Sequence, residues 1–419
     1  MDERAVVTGF LRNDGDVLLL ERTEDVGSDS GRWGGVAGHA EGDPDAAVRQ
    51  EIREETGIDP EKDCTLVRRG EQFDVTDEDL ERRWQVHPYL FDCETPDVEP
   101  NRETTAFEWA APTEILRRET VLALWRSYDR VRPSPETIAS DTAHGSAFLS
   151  IRALEVLRDE CALLAAGRPA AYDSPSAVAE ALLAARPSMT VLGNRLNRAM
   201  AQAAKLDPAA VEAAASAVLD AALAADTEAA AHAATEIQGQ TIATLSRSGT
   251  VLDAIAAGGP DRVVVPESRP GGEGVEVAEA LAEESEVILT SDAGFAQQLA
   301  AQNVEILLVG ADSITPAGDV INKVGTRGRV AAAAQEDIRI LVVAASDKTA
   351  PAGAEGPPDL EPRDPAELYQ GEASLTVVND TFDVTPASLV DGIVTEDGRL
   401  DSAAVRERAD AHEQWREWR

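Results

Sequence analysis

Cysteine is scarce in this chain: Cys64, Cys93 and Cys161 are the only three in 419 residues. Their spacing suits no metal site, and so few thiols make a reduced cytoplasm the expected compartment and a structural disulfide unexpected. Aromatic residues make up 4%. No run reaches ~18 uninterrupted apolar residues, and the N-terminus lacks the apolar core of a signal peptide, so no membrane span is expected. Basic residues are few, with 38 Lys and Arg against 77 Asp and Glu, a formal net charge of −39. Such an excess argues against contact with nucleic-acid backbones or anionic membrane surfaces. The acids are spread along the chain, as in proteins of salt-loving organisms, and form no acidic tail. Function is therefore not to be read from the charge itself.

What is present is more specific. Hydrophobic residues make up 43%, and the length suits two or three domains. Residues 43–57 read as one helix with both ends marked. Asp43 suits the N-cap, Pro44 the first helical position, and Gly57 the left-handed residue that ends a helix. Ala46, Ala47, Val48 and Ile52 form its apolar stripe. Glu51, Glu54 and Glu55 stand at i, i+3 and i+4, so their carboxylates share a face. Three like charges there repel unless a cation sits among them, and Mg²⁺ or Mn²⁺ suits oxygen ligands. A solvated acidic face is the competing reading, but it leaves unexplained the Gly-rich loop at 32–42 that runs into the helix. Such a loop lets backbone approach a ligand closely.

Together, loop and helix resemble the Nudix box. Glu51-Ile-Arg-Glu-Glu-Thr-Gly-Ile58 matches its second half. The arginine slot holds Gln50, with Arg49 beside it. The upstream Gly and Glu slots fall on Val36 and Gly42, so Gly35 and Glu41 match only with one residue inserted. The resemblance implies an N-terminal Nudix α/β/α fold and metal-dependent cleavage of a nucleoside-diphosphate-type linkage. Mg²⁺ or Mn²⁺ would be held by Glu51, Glu54 and Glu55, with Glu103 as a further acid outside the box. Strands are expected at 4–12 and 17–22, joined by a turn at Asn13-Asp-Gly-Asp16, and at 64–69 and 84–92. Residues 102–115 resemble the family's closing strand and its Trp-containing turn. Trp33 and Trp109 are expected to pack rather than to stack on substrate.

The boundaries expected are 1–125 for this domain, a linker at 126–135, an Ala-rich helical subdomain at 136–237, a Rossmann-like domain at 238–400 and a helical tail at 401–419. In the fourth of these, short apolar runs at 241–245, 262–265, 286–290, 304–309 and 338–344 alternate with helical patterns. That alternation predicts a parallel sheet covered on both faces, with ligands beyond the carboxyl ends of the strands.

These segments carry a second resemblance. Glu267-Ser-Arg-Pro270, Gly310-Ala-Asp-Ser-Ile314, Asn322-Lys-Val-Gly-Thr326 and Phe382-Asp-Val-Thr-Pro386 look like the alpha, beta and delta subunits of translation initiation factor 2B. His144-Gly-Ser-Ala147 and Arg186-Pro-Ser-Met-Thr190 fit the helical part of that superfamily. Its sugar-phosphate isomerases act on ribose 1,5-bisphosphate and methylthioribose 1-phosphate, using a Cys and an Asp. Asp312 matches the Asp, whereas Ser246 stands in the thiol's place. A hydroxyl is a far weaker acid or base at neutral pH, so isomerase activity is not expected. Phosphate- or ligand-binding residues are expected to remain: Ser246, Arg269, Asp312, Asn322, Lys323 and Lys348. The resemblance implies a nucleotide or sugar-phosphate ligand and homo-oligomerisation through the second region. The alternatives are a sugar-phosphate isomerase with a Nudix sensor, and a non-catalytic regulatory factor.

Overall fold

The computed structural model describes residues 2–23, 29–40, 42–78, 81–354 and 357–419. Glu41, the upstream-glutamate candidate, lies outside the described residues. The chain divides into two compact units, the first comprising 1–137, 155–175 and 207–212, the second 138–154, 176–206 and 213–419.

In the first unit, β1 (Asp2–Asn13) and β2 (Asp16–Arg22) are followed by β3 (Trp33–Gly34), β4 (Val36–His39), α1 (Pro44–Thr56), β5 (Cys64–Arg69), β6 (Phe73–Asp77), β7 (Arg82–Cys93), β8 (Thr104–Ala110) and α2 (Leu124–Tyr128). The β1–β2 turn places Asp14 and Gly15 at φ 48° and 86°. Positive φ at both central residues is what a two-residue hairpin turn demands, and an Asp-Gly pair tolerates it. The eight strands form one sheet in which β1 runs parallel to β7 over eleven paired positions. Alternation decides its two faces. Leu18, Leu20, Tyr89 and Phe91 pack with Val48 and Ile52 of α1. Val17, Leu19 and Leu90 point the other way, onto Ile115, Leu124, Tyr128 and Val131.

Two expectations fail here. Cys64 and Cys93 lie directly opposite each other on β5 and β7, with Cα atoms 4.3 Å apart, and form a disulfide. Scarcity of cysteine could not reveal a cross-strand register between residues 29 apart. The stretch 126–135 is not a free linker, because Tyr128 and Val131 are buried. Arg132 there pairs with Asp129 and with Glu160, at 2.8 and 2.5 Å.

Further along the chain come α3 (Pro135–Ser140), α4 (Ser146–Ala165), α5 (Pro175–Ala185), α6 (Thr190–Gln202) and α7 (Pro208–Ile237). By length and composition α7 could cross a membrane. Its Ala229, Ala230, Ala233 and Ile237 instead pack on the sheet residues Ile242 and Val263. That sheet is built from β9 (Thr241–Ala243), α8 (Gly249–Gly258), β10 (Arg262–Pro266), α9 (Glu273–Leu281), β11 (Glu286–Thr290), α10 (Phe295–Ala301) and β12 (Ile306–Val309). The chain continues through β13 (Ser313–Ile314), β14 (Val320–Lys323), α11 (Thr326–Gln335), β15 (Arg339–Val343), β16 (Phe382–Thr385), β17 (Gly392–Thr395), β18 (Gly398–Leu400) and α12 (Ser402–Gln414).

The strand order is β11-β10-β9-β12-β15-β17-β18, parallel except for the last pair. Chain order therefore reverses between β9 and β12, which opens a crevice at their carboxyl ends. A separate antiparallel sheet, β13-β14-β16, follows β12. The final helix is not a loose tail. Val405, Ala409 and His412 of α12 are buried.

Candidate functional sites

In the first unit the marked helix forms as its ends prescribe. The Asp43 side chain accepts from the N–H of Asp45, Pro44 begins α1, and Gly57 ends it at φ 73°. Thr56 completes the buried face by donating to the Ile52 carbonyl at 2.5 Å. On the neighbouring face two glutamates press against β4. The N–H of Ala37 donates to Glu55 Oε2 at 3.1 Å. Gly38 leaves room for Glu51, since a Cβ at position 38 would lie 1.8 Å from Glu51 Oε1. Glu54 is exposed and accepts from Gln50 Nε2 at 2.7 Å. Glu103 sits in the turn before β8, where its N–H donates to Asn101 Oδ1 and its carbonyl accepts from the N–H of Thr23.

Glu51 and Glu55 feel the carboxylates around them. Burial, then the charges of Glu54 and Glu103, raise the carboxyl of Glu51. Glu55 is pushed up to about 8, chiefly by burial, with Glu51 and Glu103 adding while the Ala37 N–H and the charge of Arg22 oppose. Among the described residues, Arg22 is the cation that acts on Glu55, and its charge does not outweigh burial and the neighbouring carboxylates. Among the described residues no three acidic, His or Cys side chains close into a metal cage. An open cluster still fits Mg²⁺ or Mn²⁺, because Mg²⁺ keeps several waters and binds through one or two carboxylates plus substrate phosphates.

The irregular arginine slot has a structural explanation. Arg49 points away, donating to the Pro60 carbonyl at 3.2 Å and lying over the Phe91 ring. Gln50 thus stands alone beside Glu54. Both tryptophans are occupied as packing residues: Arg118 covers Trp33, and Trp109 donates to the Pro96 carbonyl. Sequence reasoning missed Gly38 and Arg22. Only the glycine left a signal, as part of the Gly-rich loop.

In the second unit the crevice between β9 and β12 collects a different set. Gly310 allows the loops after these strands to meet, since a Cβ there would lie 2.8 Å from Ser248 Oγ. Ser246 sits in the first loop at φ 58°, with its N–H on Ser268 Oγ. Asp312 sits in the second. Ser146, at the start of α4, donates to Asp312 Oδ1 at 3.2 Å. Burial raises the Asp312 carboxyl; Lys348, the Ser146 hydroxyl and Lys323 oppose that rise, and Glu361 reinforces it. Lys348 is itself buried and donates to the Ala311 carbonyl at 2.6 Å. Lys323 pairs with Glu273 at 2.6 Å. Thr190 and Ser313 share a hydrogen bond of 2.9 Å, and Ser188 donates to Glu361 at 2.5 Å.

Two of the proposed ligand residues stand elsewhere. Asn322 is buried and donates to Thr326 Oγ1, which fixes the β14–α11 corner. Arg269 is two-thirds exposed and pairs with Glu267 at 3.1 Å. It lines a cavity of about 340 Å³ with Asp292, Phe295 and Arg329, a lining that does not include Asp312. Asp292 already holds Arg329 and accepts from the N–H groups of Ser268 and Arg269. The cavity's charges are therefore largely paired. Sequence reasoning missed Glu361, which belongs to no regular element.

Family models match both regions: the initiation factor 2 subunit family over residues 142–402 and the NUDIX domain over residues 2–131. The chain belongs to the initiation factor 2 subunit family and carries an N-terminal NUDIX domain. Among curated proteins, methylthioribose-1-phosphate isomerase of Azotobacter vinelandii is 41% identical over 164 residues, which is 36% of this chain and 45% of that one. The Synechocystis protein of the same name is 34% identical over 163 residues, 36% of this chain and 46% of that one. The chain thus spans about half the length of the curated relatives it matches. Among solved structures, a translation initiation factor eIF-2B from Pyrococcus horikoshii OT3 aligns at TM-score 0.53 and 28% identity, covering 64% of this chain and 94% of that one. A 5-methylthioribose 1-phosphate isomerase from the same organism has TM-score 0.53 at 21% identity, covering 75% and 90%, which speaks for the fold alone.

Proposed function

We propose that the N-terminal NUDIX domain is a metal-dependent hydrolase of a nucleoside-diphosphate-type linkage, and that the second region binds a phosphorylated metabolite. The first half rests on one observation, the gathering of Glu51, Glu54 and Glu55 on α1, two of them against β4, with the charge of Glu103 acting on Glu51 and Glu55. Glu51, Glu54 and Glu55 would hold Mg²⁺ or Mn²⁺, which supplies charge neutralisation at the diphosphate and a more acidic water. Glu103, exposed and adjoining, is the residue suited to take a proton from an attacking water. The Ala37 N–H keeps Glu55 in place.

The test is a panel of diphosphates, ADP-ribose and dinucleotides included, incubated at high salt with Mg²⁺ and then with Mn²⁺. Metal-dependent release of a phosphorylated product, abolished by Glu54→Gln, is expected. An intact panel would overturn the reading.

One observation favours a second reading. Asp312 is enclosed, its carboxyl raised, and the curated relatives are named as isomerases. A carboxyl raised by burial beside two lysines suits proton transfer between adjacent carbons of a sugar phosphate. Against it stands Ser246, a hydroxyl in the thiol's place. Incubation with ribose 1,5-bisphosphate and with methylthioribose 1-phosphate, assayed for the ketose product, separates the two readings. A regulatory role without catalysis would show as co-purification with initiation factor 2 subunits. Self-association through the second region belongs to the same proposal, and light scattering of the purified chain tests it.

A further inference from the structure

Glu361 acts on Asp312 at the crevice, yet no sequence motif singled it out. It adopts φ 52°, a left-handed conformation uncommon for a residue with a side chain and a reason to look for a role. Its backbone is held in that state from three directions. Its N–H donates to Asp359 Oδ1 at 2.9 Å, and its carbonyl accepts from the N–H and the hydroxyl of Thr381 at 3.0 and 2.8 Å. The next residue, Pro362, bridges to Asp380. The chain is thus fixed so that the side chain reaches Ser188. Ser188 lies two residues before Thr190, whose hydroxyl meets Ser313, the neighbour of Asp312. The short segment 188–190 therefore brings Glu361 and Asp312 to the same crevice.

We propose that Glu361 contacts ligand in this crevice and, with Asp312, binds the hydroxyl groups of a phosphorylated polyol. The inference rests on the reading of the second region as a phosphometabolite site. A carboxylate offers about four acceptor positions, and Ser188 uses one of Glu361's. Acceptors of this kind take O–H or N–H donors and repel a phosphate. Lys323 donates to Glu273 and Lys348 to the Ala311 carbonyl, and an ammonium has three donors. The crevice therefore asks for hydroxyls at its carboxylates and an anion at its lysines, which is the chemistry of a sugar phosphate.

Isothermal titration of the full chain in EDTA, which leaves the NUDIX site without metal, tests this. The probes are ribose 5-phosphate, ribose 1,5-bisphosphate and inorganic phosphate. Glu361→Gln keeps the shape of the side chain and an acceptor for Ser188. It is expected to weaken binding of at least one sugar phosphate about ten- to a hundredfold, the scale of a hydrogen bond to a charged group, and to leave inorganic phosphate unchanged. Equal or tighter sugar-phosphate binding by Glu361→Gln, with an unchanged melting temperature, overturns the role of Glu361 alone. Failure of the wild-type chain to bind either sugar phosphate overturns both this role and the reading of the crevice.

Discussion

The two carboxylate clusters of this chain solve opposite electrostatic problems. Around α1, burial and then the neighbouring charges of Glu54, Glu51 and Glu103 raise the carboxyls of Glu51 and Glu55, with the Ala37 N–H and the charge of Arg22 opposing at Glu55. At the β9–β12 crevice, Asp312 is more deeply enclosed but carries its own cations, Lys348 and Lys323, together with the Ser146 hydroxyl. A cluster short of positive charge is completed by a cation from outside. A cluster that already holds cations is suited to a ligand bearing anions of its own. The difference lies in what the fold places around each acid, and it separates a metal-dependent reading of the first site from a metabolite-binding reading of the second.

The largest expected effect tests whether the first site stands by itself. Glu51→Gln should lower diphosphate cleavage by about 10²- to 10⁴-fold, the range for losing a group that acts on the reacting atoms, whereas Asp312→Asn should leave cleavage unchanged. A comparable loss in both variants would show that the clusters do not work independently. Gly38→Ala comes next. The added Cβ would collide with the Glu51 side chain from Cγ to Oε1 rather than with backbone among its nearest atoms, so that side chain must move while the fold survives. Activity should fall about tenfold or more, in keeping with the sensitivity of catalysis to displacements near 1 Å, with little change in melting temperature. Gly274→Ala is the contrasting control, since its Cβ would lie 1.8 Å from the Pro266 carbonyl oxygen and backbone cannot step aside.

A third expectation needs no substrate. Mg²⁺ or Mn²⁺ should raise the melting temperature of the wild-type chain and do so much less in Glu55→Gln, because a ligand that binds only the folded state stabilises it. An equal shift in Asp312→Asn and wild type would assign the metal effect to the first cluster. Loss of the shift in Asp312→Asn would place the cation at the crevice and invert the comparison.

How much of this was legible in the sequence depended on the distance over which each signal acts. The cap, the proline and the terminal glycine of α1 are local chemistry, and the helix follows from them. The five apolar runs after residue 240 each became a parallel strand, because period and length are also local. Residues 392–395 joined the same sheet unannounced. Gly392–Thr395 is only four residues long, too short to show a period. Phe73–Asp77 was likewise missed, although Phe73 and Val75 alternate with exposed residues. The Cys64–Cys93 pair depends on register between two strands, and Glu361 reaches the crevice only through Ser188 and Thr381. Such partners come from segments separated by twenty to nearly two hundred residues, and no spacing rule connects them. Arg269 shows the converse case. Its motif suggested a phosphate ligand, and the structure places it outside the Asp312 crevice with its Nε on Glu267.

The smallest expected effect concerns what holds Lys348 in place. The residue before it, Asp347, is buried and bound by Arg195 at 3.2 Å, while Asn194 donates to the carbonyls of Asp347 and Thr349. His412 of α12 closes this network, with Nδ1 2.6 Å from the Thr349 carbonyl and the ring against Trp415. Burial lowers its pKa below the ordinary 6.5, with Arg408 and Arg198 acting the same way and the Thr349 carbonyl and Asp347 opposing. The folded imidazole therefore stays neutral at a pH where the unfolded one has taken up a proton. Stability from this group is fully present above about 6.5 and declines as pH falls from there toward the lower folded value. His412→Gln removes the titration, so the variant's melting temperature should fall less steeply than the wild type's between pH 6.5 and 5. Sugar-phosphate binding should weaken more over the same interval in the wild type than in the variant, if α12 sets the position of Lys348, on top of the loss both share as the phosphate, with a second pKa of about 6, gains a proton. Parallel pH profiles for the two proteins would show that α12 merely covers the sheet, and that the second cluster's cations are placed by β14 and β15 alone.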